Sequence, residues 1–203
     1  MRLVLVRHGE TSWNAEGRFQ GHGGTGLNEL GEAQAKATAE ALLRDYPDAA
    51  LIVRSDSQRV AETSAYTEAL LDVPVRVDPR LREIDVGTWS GLTMEEIAEQ
   101  DPDGYEAWAR SDPDSRRGGG ETYAELRVRV WQALDEIVDE CAGRTVLVFT
   151  HGGPIRIAVA CALDLPSGLE HRIVGVENCA ISLLVFQEGV PRLVAYNRIE
   201  HVR

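Results

Sequence analysis

Two hundred and three residues, 43% of them hydrophobic and 27% charged, supply enough apolar material for one globular domain and exclude a disordered or fibrous chain. Twenty-one basic against thirty-three acidic side chains leave a formal net charge of −12, which argues against a partner bound through nucleic-acid phosphates. Lys36 is the single lysine and no GxxxxGK[ST] run occurs, which disfavours Walker-type nucleotide hydrolysis and lysine Schiff-base chemistry.

Residues 3–6 form an aliphatic run closed by a polar, glycine-containing turn, the pattern of a buried parallel strand. Asn28 is placed to cap a helix over 29–44, with Leu30, Ala33, Ala37, Ala41 and Leu42 as its apolar face and Tyr46-Pro47 as its stop. Residues 51–53 read as a second buried strand, 58–71 as helix and 75–77 as a short strand, an alternation that predicts a parallel sheet with helices on its faces. From 78 to 120 the periodicity weakens. Thr93 and Glu96 make a capping-box signature there, Tyr105 and Trp108 suggest a short helix, and the segment is expected to cover something. Leu126, Val130, Leu134, Ile137 and Cys141 recur at helical spacing, 146–149 is another buried strand, and Gly152-Gly153-Pro154 opens the next helix. Residues 180–186 and 192–196, separated by Glu188-Gly189, read as a terminal hairpin. The expected architecture is a three-layer α/β/α sandwich in a single domain, 1–203. Its sheet is mostly parallel with an antiparallel edge, and 78–120 covers the substrate.

Cys141, Cys161 and Cys179 are odd in number, widely spaced and free of any CxxC, so neither a disulfide framework nor a zinc site is indicated. The apolar run before Arg7 and His8 is too short for a signal peptide. The cytoplasm is the expected location, with no membrane partner and a homodimer left open.

Polar side chains collect where the predicted strands end: Arg7 and His8 after the first, Ser55 and Arg59 after the second, His151 after the strand at 146–149. Open α/β sheets bind ligands at those carboxyl ends. Guanidinium groups grip phosphate oxygens in bidentate fashion, and the N–H groups of Gly152 and Gly153 at a helix start attract anions. Neutral imidazole is a nucleophile near pH 7, and phosphoryl transfer asks mainly for in-line positioning and charge stabilisation, so neither metal nor cofactor is required.

Leu5-Val-Arg-His-Gly-Glu-Thr11 resembles the RHG signature of the histidine phosphatase superfamily, in its phosphoglycerate-mutase-like branch. The likeness continues through Asn14, Glu16-Gly-Arg-Phe-Gln-Gly21, Leu27-x-Glu-x-Gly31 and Ser55-Asp-Ser-Gln-Arg59-x-x-x-Thr63. It runs on through Leu81-Arg-Glu83-Ile-Asp-Val-Gly87-x-Trp89-x-Gly91, Gly119-Gly-Glu121 and Thr150-His-Gly-Gly153. The resemblance implies that His8 is the nucleophile, that Arg7, Arg59 and His151 grip the phosphoryl oxygens, that Asn14 orients one of them and that Glu83 is the proton donor. The implied activity is hydrolysis of a small phosphorylated metabolite through a phosphohistidine.

Glu62 and Thr122 stand where that family commonly has glutamine and serine, and His22-Gly-Gly-Thr-Gly26 replaces its usual aspartate-containing loop. These departures are expected to alter substrate contacts and to leave the transfer core untouched. Gln20, Gly21, Arg116 and Arg117 are candidates for the substrate rim; the two arginines either hold a second anionic group there or are solvated surface. The same choice applies to His22. Trp89, Trp108 and Tyr105 either line the mouth of a pocket or anchor the covering segment, and Gly23-Gly24 and 118–120 read as flexible connections. A phosphoglycerate-type mutase is the nearest alternative, followed by a catalytically silent phosphate-ester-binding module and by a metal site at His8, His151 and Glu83. Two arginines beside a dication disfavour the last.

Overall fold

In chain order the elements are β1 (Arg2–Arg7), α1 (Ser12–Ala15), α2 (Glu29–Asp45), β2 (Ala49–Arg54), α3 (Gln58–Leu70), β3 (Val75–Val77), α4 (Met94–Gln100), α5 (Pro102–Ala109), α6 (Tyr123–Glu140), β4 (Thr145–Thr150), α7 (Gly152–Ala162), β5 (Ile181–Gln187) and β6 (Val190–Arg198). They come from a computed structural model that describes residues 1–112 and 114–203. The strands make one sheet in the order β3-β2-β4-β1-β5-β6, parallel from β3 to β1 and antiparallel at β5 and β6.

Alternation along the central strands sends side chains to two cores. Leu3, Leu5, Val146 and Val148 pack with Leu126, Val130, Leu134 and Ile137 of α6 and with Ile155 and Ala158 of α7. Val4, Val6, Leu147 and Phe149 pack with Leu42 of α2 and Val60 of α3. Helices therefore cover both faces, and the three-layer sandwich holds. Each fully buried aliphatic side chain is worth about 1.5–3 kcal/mol in removal from water, which is why residues 146–149 are apolar until the carboxyl end of β4 is reached.

The expected inner face of α2 holds at Ala41 and Leu42, which are buried, and fails nearer the start of the helix. Leu30 is 53% exposed and Ala33 is exposed as well, and Gly31, Ala35, Thr38 and Ala39 are buried there instead. The cause is Gly31: a Cβ there would lie 2.0 Å from the Glu10 carbonyl oxygen, so the bare glycine backbone packs against the loop after β1 and turns the helix about its axis. The hairpin turn is as read, Glu188 and Gly189 both having positive φ (52° and 79°), as a two-residue turn between twisted strands requires.

In the segment 78–120 α4 carries the Thr93–Glu96 capping box. Asp101 caps α5 through Oδ1 while its Oδ2 accepts from Trp89 Nε1 at 2.8 Å. Trp89 is fully buried and therefore anchors the segment. Residues 118–120 are not flexible connections: a Cβ on Gly118 would meet the Val86 carbonyl oxygen at 2.5 Å, and one on Gly120 the Asp85 carbonyl oxygen at 2.3 Å. The glycines let two loop backbones touch. Gly23 and Gly24 face side-chain ends instead of backbone, Ser90 Oγ and Gln20 Oε1, and are less tightly confined. Among the described residues no helix is long and apolar enough to cross a membrane.

Candidate active site

Register brings the two histidines together. β1 and β4 pair with Arg7 opposite Thr150, so His8 and His151 follow at adjacent strand ends, and the His8 N–H donates to the Thr150 carbonyl at 3.0 Å. Their rings meet edge to face with centroids 5.2 Å apart. β2 lies on the other side of β4 and delivers Ser55, whose N–H donates to the Phe149 carbonyl at 3.0 Å, just ahead of Arg59 on α3.

The His8 ring has a fixed tautomer. Nδ1 is 2.7 Å from the Gly9 carbonyl, which can only accept, so Nδ1 carries the hydrogen and Nε2 presents its lone pair. Arg59 Nε donates towards that nitrogen at 3.3 Å. Burial, reinforced by the charges of Arg7 and Arg59, holds the His8 pKa well below 6.5, so the ring is a neutral base at pH 7. His151 is also neutral, held so by burial first and by Arg59 and His8 after it. Its Nδ1 accepts from Arg59 Nη2 at 3.1 Å, leaving Nε2 to donate to Ser57 Oγ at 3.1 Å or Ser55 Oγ at 3.2 Å. His151 is fully buried between Arg59, the serines of the β2 end and the His8 ring.

A cavity of about 240 Å³ opens over His8, lined by Arg7, Asn14, Gln20, Gly21, Arg59, Glu83 and Gly152 among others. Arg7 donates through Nη1 to the Val176 carbonyl, and its Nε is buried without a partner among the described residues. Arg59 donates to the carbonyls of Gly23 at 2.6 Å and Gly21 at 2.8 Å, so the loop that departs from the family pattern does reach the transfer core. Burial pushes Arg59 down to about 10, still fully charged near neutrality. Asn14 spends Oδ1 on the Thr11 N–H of a capping box and on Asn178 Nδ2, which leaves its own amide nitrogen as the available donor. Cys179 donates its backbone N–H to the His8 carbonyl at 3.2 Å, and burial raises its thiol to about 12, so no thiolate competes with the imidazole.

Glu83 faces the cavity from the loop after β3. Oε1 accepts from the Ile84 N–H at 2.9 Å and Oε2 from the Gly153 N–H at 3.2 Å. Gly153 is thus occupied by the carboxylate, and of the two glycine N–H groups only that of Gly152 is left to an incoming anion. A residue that sequence reasoning missed holds this loop. Arg129 of α6 donates to the carbonyls of Arg80, Arg82 and Glu83, each at 2.8 Å, and pairs with Glu121, whose Oε2 also accepts the Asp85 N–H. An arginine on the polar face of an amphipathic helix carries no signal of that role. Asn178, which donates to the His8 carbonyl at 3.0 Å, is equally silent in sequence.

Of the rim candidates, Gln20, Gly21 and Arg117 line the cavity and Arg116 does not. Arg116 is turned away into an exposed ion pair with Glu125 at 2.5 Å. His22 is exposed and apart from the cavity. Trp108 and Tyr105 are half-buried, with Phe19 packed edge-on against Trp108 at 5.7 Å.

Chemically the arrangement offers a neutral imidazole with a free lone pair, two guanidinium groups beside it that form no ion pair among the described residues, and a carboxyl group on a separate loop whose charge lies near both. Comparison with known proteins agrees with that inventory. Over 172 residues the chain is 39% identical to a bifunctional protein of Mycobacterium tuberculosis, covering 85% of this chain and 47% of that protein, so it spans about half the length of this relative. It is 40% identical over 156 residues to a metal-independent phosphoserine phosphatase of Arabidopsis thaliana, 76% of this chain and 65% of the relative. The structure of a mycobacterial glucosyl-3-phosphoglycerate phosphatase in complex with VO3 superposes with a TM-score of 0.87 at 34% identity, over 97% of this chain and 98% of the other. The model of the histidine phosphatase superfamily (branch 1) matches residues 3–199, and with the strand-end histidines and arginines in place the chain belongs to that family.

Proposed function

We propose that the chain hydrolyses phosphomonoesters of small metabolites, passing the phosphoryl group to Nε2 of His8 and then to water. The observation that carries this reading is the His8 ring itself: neutral, its Nδ1 hydrogen tied to Gly9, its free lone pair in a cavity with Arg7 and Arg59. In the first step the P–O bond to the leaving alcohol breaks as the N–P bond forms. Glu83 gives its proton to the departing oxygen, since an alkoxide leaves badly. In the second step the Glu83 carboxylate takes a proton from water, whose oxygen attacks phosphorus and restores His8.

Arg7, Arg59, the Asn14 amide and the Gly152 N–H hold the three non-bridging oxygens as charge builds on them. His151 acts through Arg59, accepting from its Nη2 and so fixing its fork. The guanidinium pair supplies the cationic field that a dication supplies in other phosphatases, so the reaction runs without metal or cofactor. Phosphoserine phosphatases among the relatives place phosphorylated hydroxy and amino acids in the first panel of substrates to be tried.

Brief reaction with 32P-labelled ester followed by an alkaline quench should leave an acid-labile label on His8, and His8→Ala should lose both label and turnover. Label on another residue, or a near-normal rate in His8→Ala, overturns the proposal. Isomerisation of a phosphoglycerate in place of phosphate release would make the enzyme a mutase.

A further inference from the structure

Arg59 holds phosphoryl oxygens in the proposed reaction, so whatever fixes its fork bears on the rate. Two of the fixing contacts come from one loop: Nη1 donates to the Gly23 carbonyl at 2.6 Å and Nη2 to the Gly21 carbonyl at 2.8 Å. That loop, residues 20–27, reads Gln-Gly-His-Gly-Gly-Thr-Gly-Leu, and half of it is glycine. Glycine backbone has more conformations to lose than any other, so the place of these two carbonyls has to be imposed from outside the loop.

At its start the loop is tied through the Gln20 carbonyl, which accepts from Ser90 Oγ at 3.1 Å. At its end the tie is Glu62, whose Oε2 accepts the Leu27 N–H at 2.7 Å. Glu62 follows Arg59 by three residues on α3, so the two side chains leave the helix on the same side. Within one turn α3 therefore grips the loop twice, through an arginine that donates to it and a carboxylate that accepts from it. Gln58 Nε2 donates to Glu62 Oε1 at 2.7 Å and stops the carboxylate from rotating away. Space closes the arrangement: a Cβ on Gly26 would lie 2.6 Å from Glu62 Oε2 and 2.7 Å from Oε1. Two departures from the family pattern meet in this contact, since residues 22–26 carry no acidic side chain and the acid stands on the helix instead.

We propose that Glu62 is a positioning residue for the phosphoryl transfer, acting through the 20–27 loop on Arg59. The inference rests on hydrolysis at His8 and adds a residue that works on the transferred group without touching it. Charge assistance makes the Glu62 contact a strong anchor for a single backbone N–H.

The test measures kcat and KM of the wild type, Glu62→Ala, Glu62→Gln and Gly26→Ala on p-nitrophenyl phosphate and on a neutral alkyl phosphate, with vanadate inhibition and Tm alongside. Arg59 acts on the phosphoryl group and not on the leaving alcohol. Glu62→Ala should therefore lower kcat by about tenfold on both esters alike, a part of the roughly 10²–10³-fold that loss of a whole charge-stabilising donor costs. That equality separates it from a disturbance of Glu83, which falls mainly on the alkyl ester. Vanadate, which takes up the trigonal bipyramid of the transferring phosphorus, should bind Glu62→Ala about tenfold more weakly. Glu62→Gln keeps an acceptor for the Leu27 N–H while Gln58 turns its amide over, and should stay within about threefold of the wild type. Gly26→Ala keeps the carboxylate but drives it off Leu27, and should repeat the losses of Glu62→Ala, which keeps the test open if that variant does not fold. Losses below about threefold in Glu62→Ala and Gly26→Ala, losses confined to the alkyl ester, unchanged vanadate binding, or no rescue by glutamine each overturn the proposal. A lower Tm with unchanged kcat overturns it too, because Glu62 would then serve the fold alone. Absence of p-nitrophenyl phosphate turnover in the wild type sinks the hydrolase reading itself, whereas ordinary turnover in the wild type and in every variant sinks only the role of Glu62.

Discussion

Gly153 offers a substitution whose effects on stability and on rate should part company. A Cβ at this position would lie 2.1 Å from Glu83 Oε1, 3.2 Å from its Cδ and 3.4 Å from Leu126 Cδ2, so only the carboxylate has to give way. To reach the 3.4 Å of an ordinary contact Oε1 must retreat by about 1.3 Å. That end of a flexible side chain moves at little cost in folding, and alanine in the first turn of α7 gains up to about 1 kcal/mol in helix propensity over glycine. A proton donor displaced by an ångström, however, costs about 10²-fold in a step that depends on its placement. Gly153→Ala should therefore keep or slightly raise Tm while lowering kcat/KM for alkyl phosphates by about 10²-fold. For p-nitrophenyl phosphate, whose leaving group needs little protonation, the loss should stay within about fivefold. Calorimetry and steady-state kinetics on both esters decide it. Equal losses on the two esters, or an alkyl rate that does not change, would refute the assignment of Glu83 as proton donor.

Arg129→Met removes three carbonyl contacts and the Glu121 pair that fix the Glu83 loop, so it should also slow alkyl esters more than aryl ones. Unlike Gly153→Ala it should cost about 2–4 kcal/mol in urea unfolding, because it leaves a half-buried carboxylate unpaired; a stability change under 1 kcal/mol would count against the clamp. Acidification should destabilise the fold in a definite window. His8 and His151 have folded pKa values depressed well below 6.5, so the unfolded chain takes up protons there that the native state does not. Their contribution is complete above pH 6.5 and falls by about 1.4 kcal/mol per pH unit for each histidine below it, down towards the folded pKa values. His8→Asn should shallow the slope between pH 6.5 and 5 by about 1.4 kcal/mol per pH unit; an unchanged slope would mean that His8 is charged in the native state.

The strand ends carrying Arg7, His8, Ser55 and His151 were legible because a buried parallel strand must be apolar until it emerges, so the first polar residues mark the ligand-binding edge. The ordered motifs after them supplied Asn14, Arg59 and Glu83 as well. The first two turns of α2 were not legible, although Ala41 and Leu42 were: Leu30 and Ala33 fit a helical stripe as well as the residues that are buried, and only the approach of Gly31 to Glu10 chooses between them. Arg116 and Arg117 are adjacent in sequence and alike in chemistry, yet one pairs with Glu125 and the other stacks on Tyr123 at the cavity mouth.

Local pattern, set by hydrogen-bond period and the exclusion of polar groups from a core, determined the element order, the sheet and the chemical character of the site. Tertiary packing alone decided that His151 accepts from Arg59, that the Gly153 N–H serves Glu83, and that Arg129 holds the Glu83 loop. Each of these depends on how far apart two segments remote in sequence come to lie, a distance that residue type and spacing along the chain do not encode.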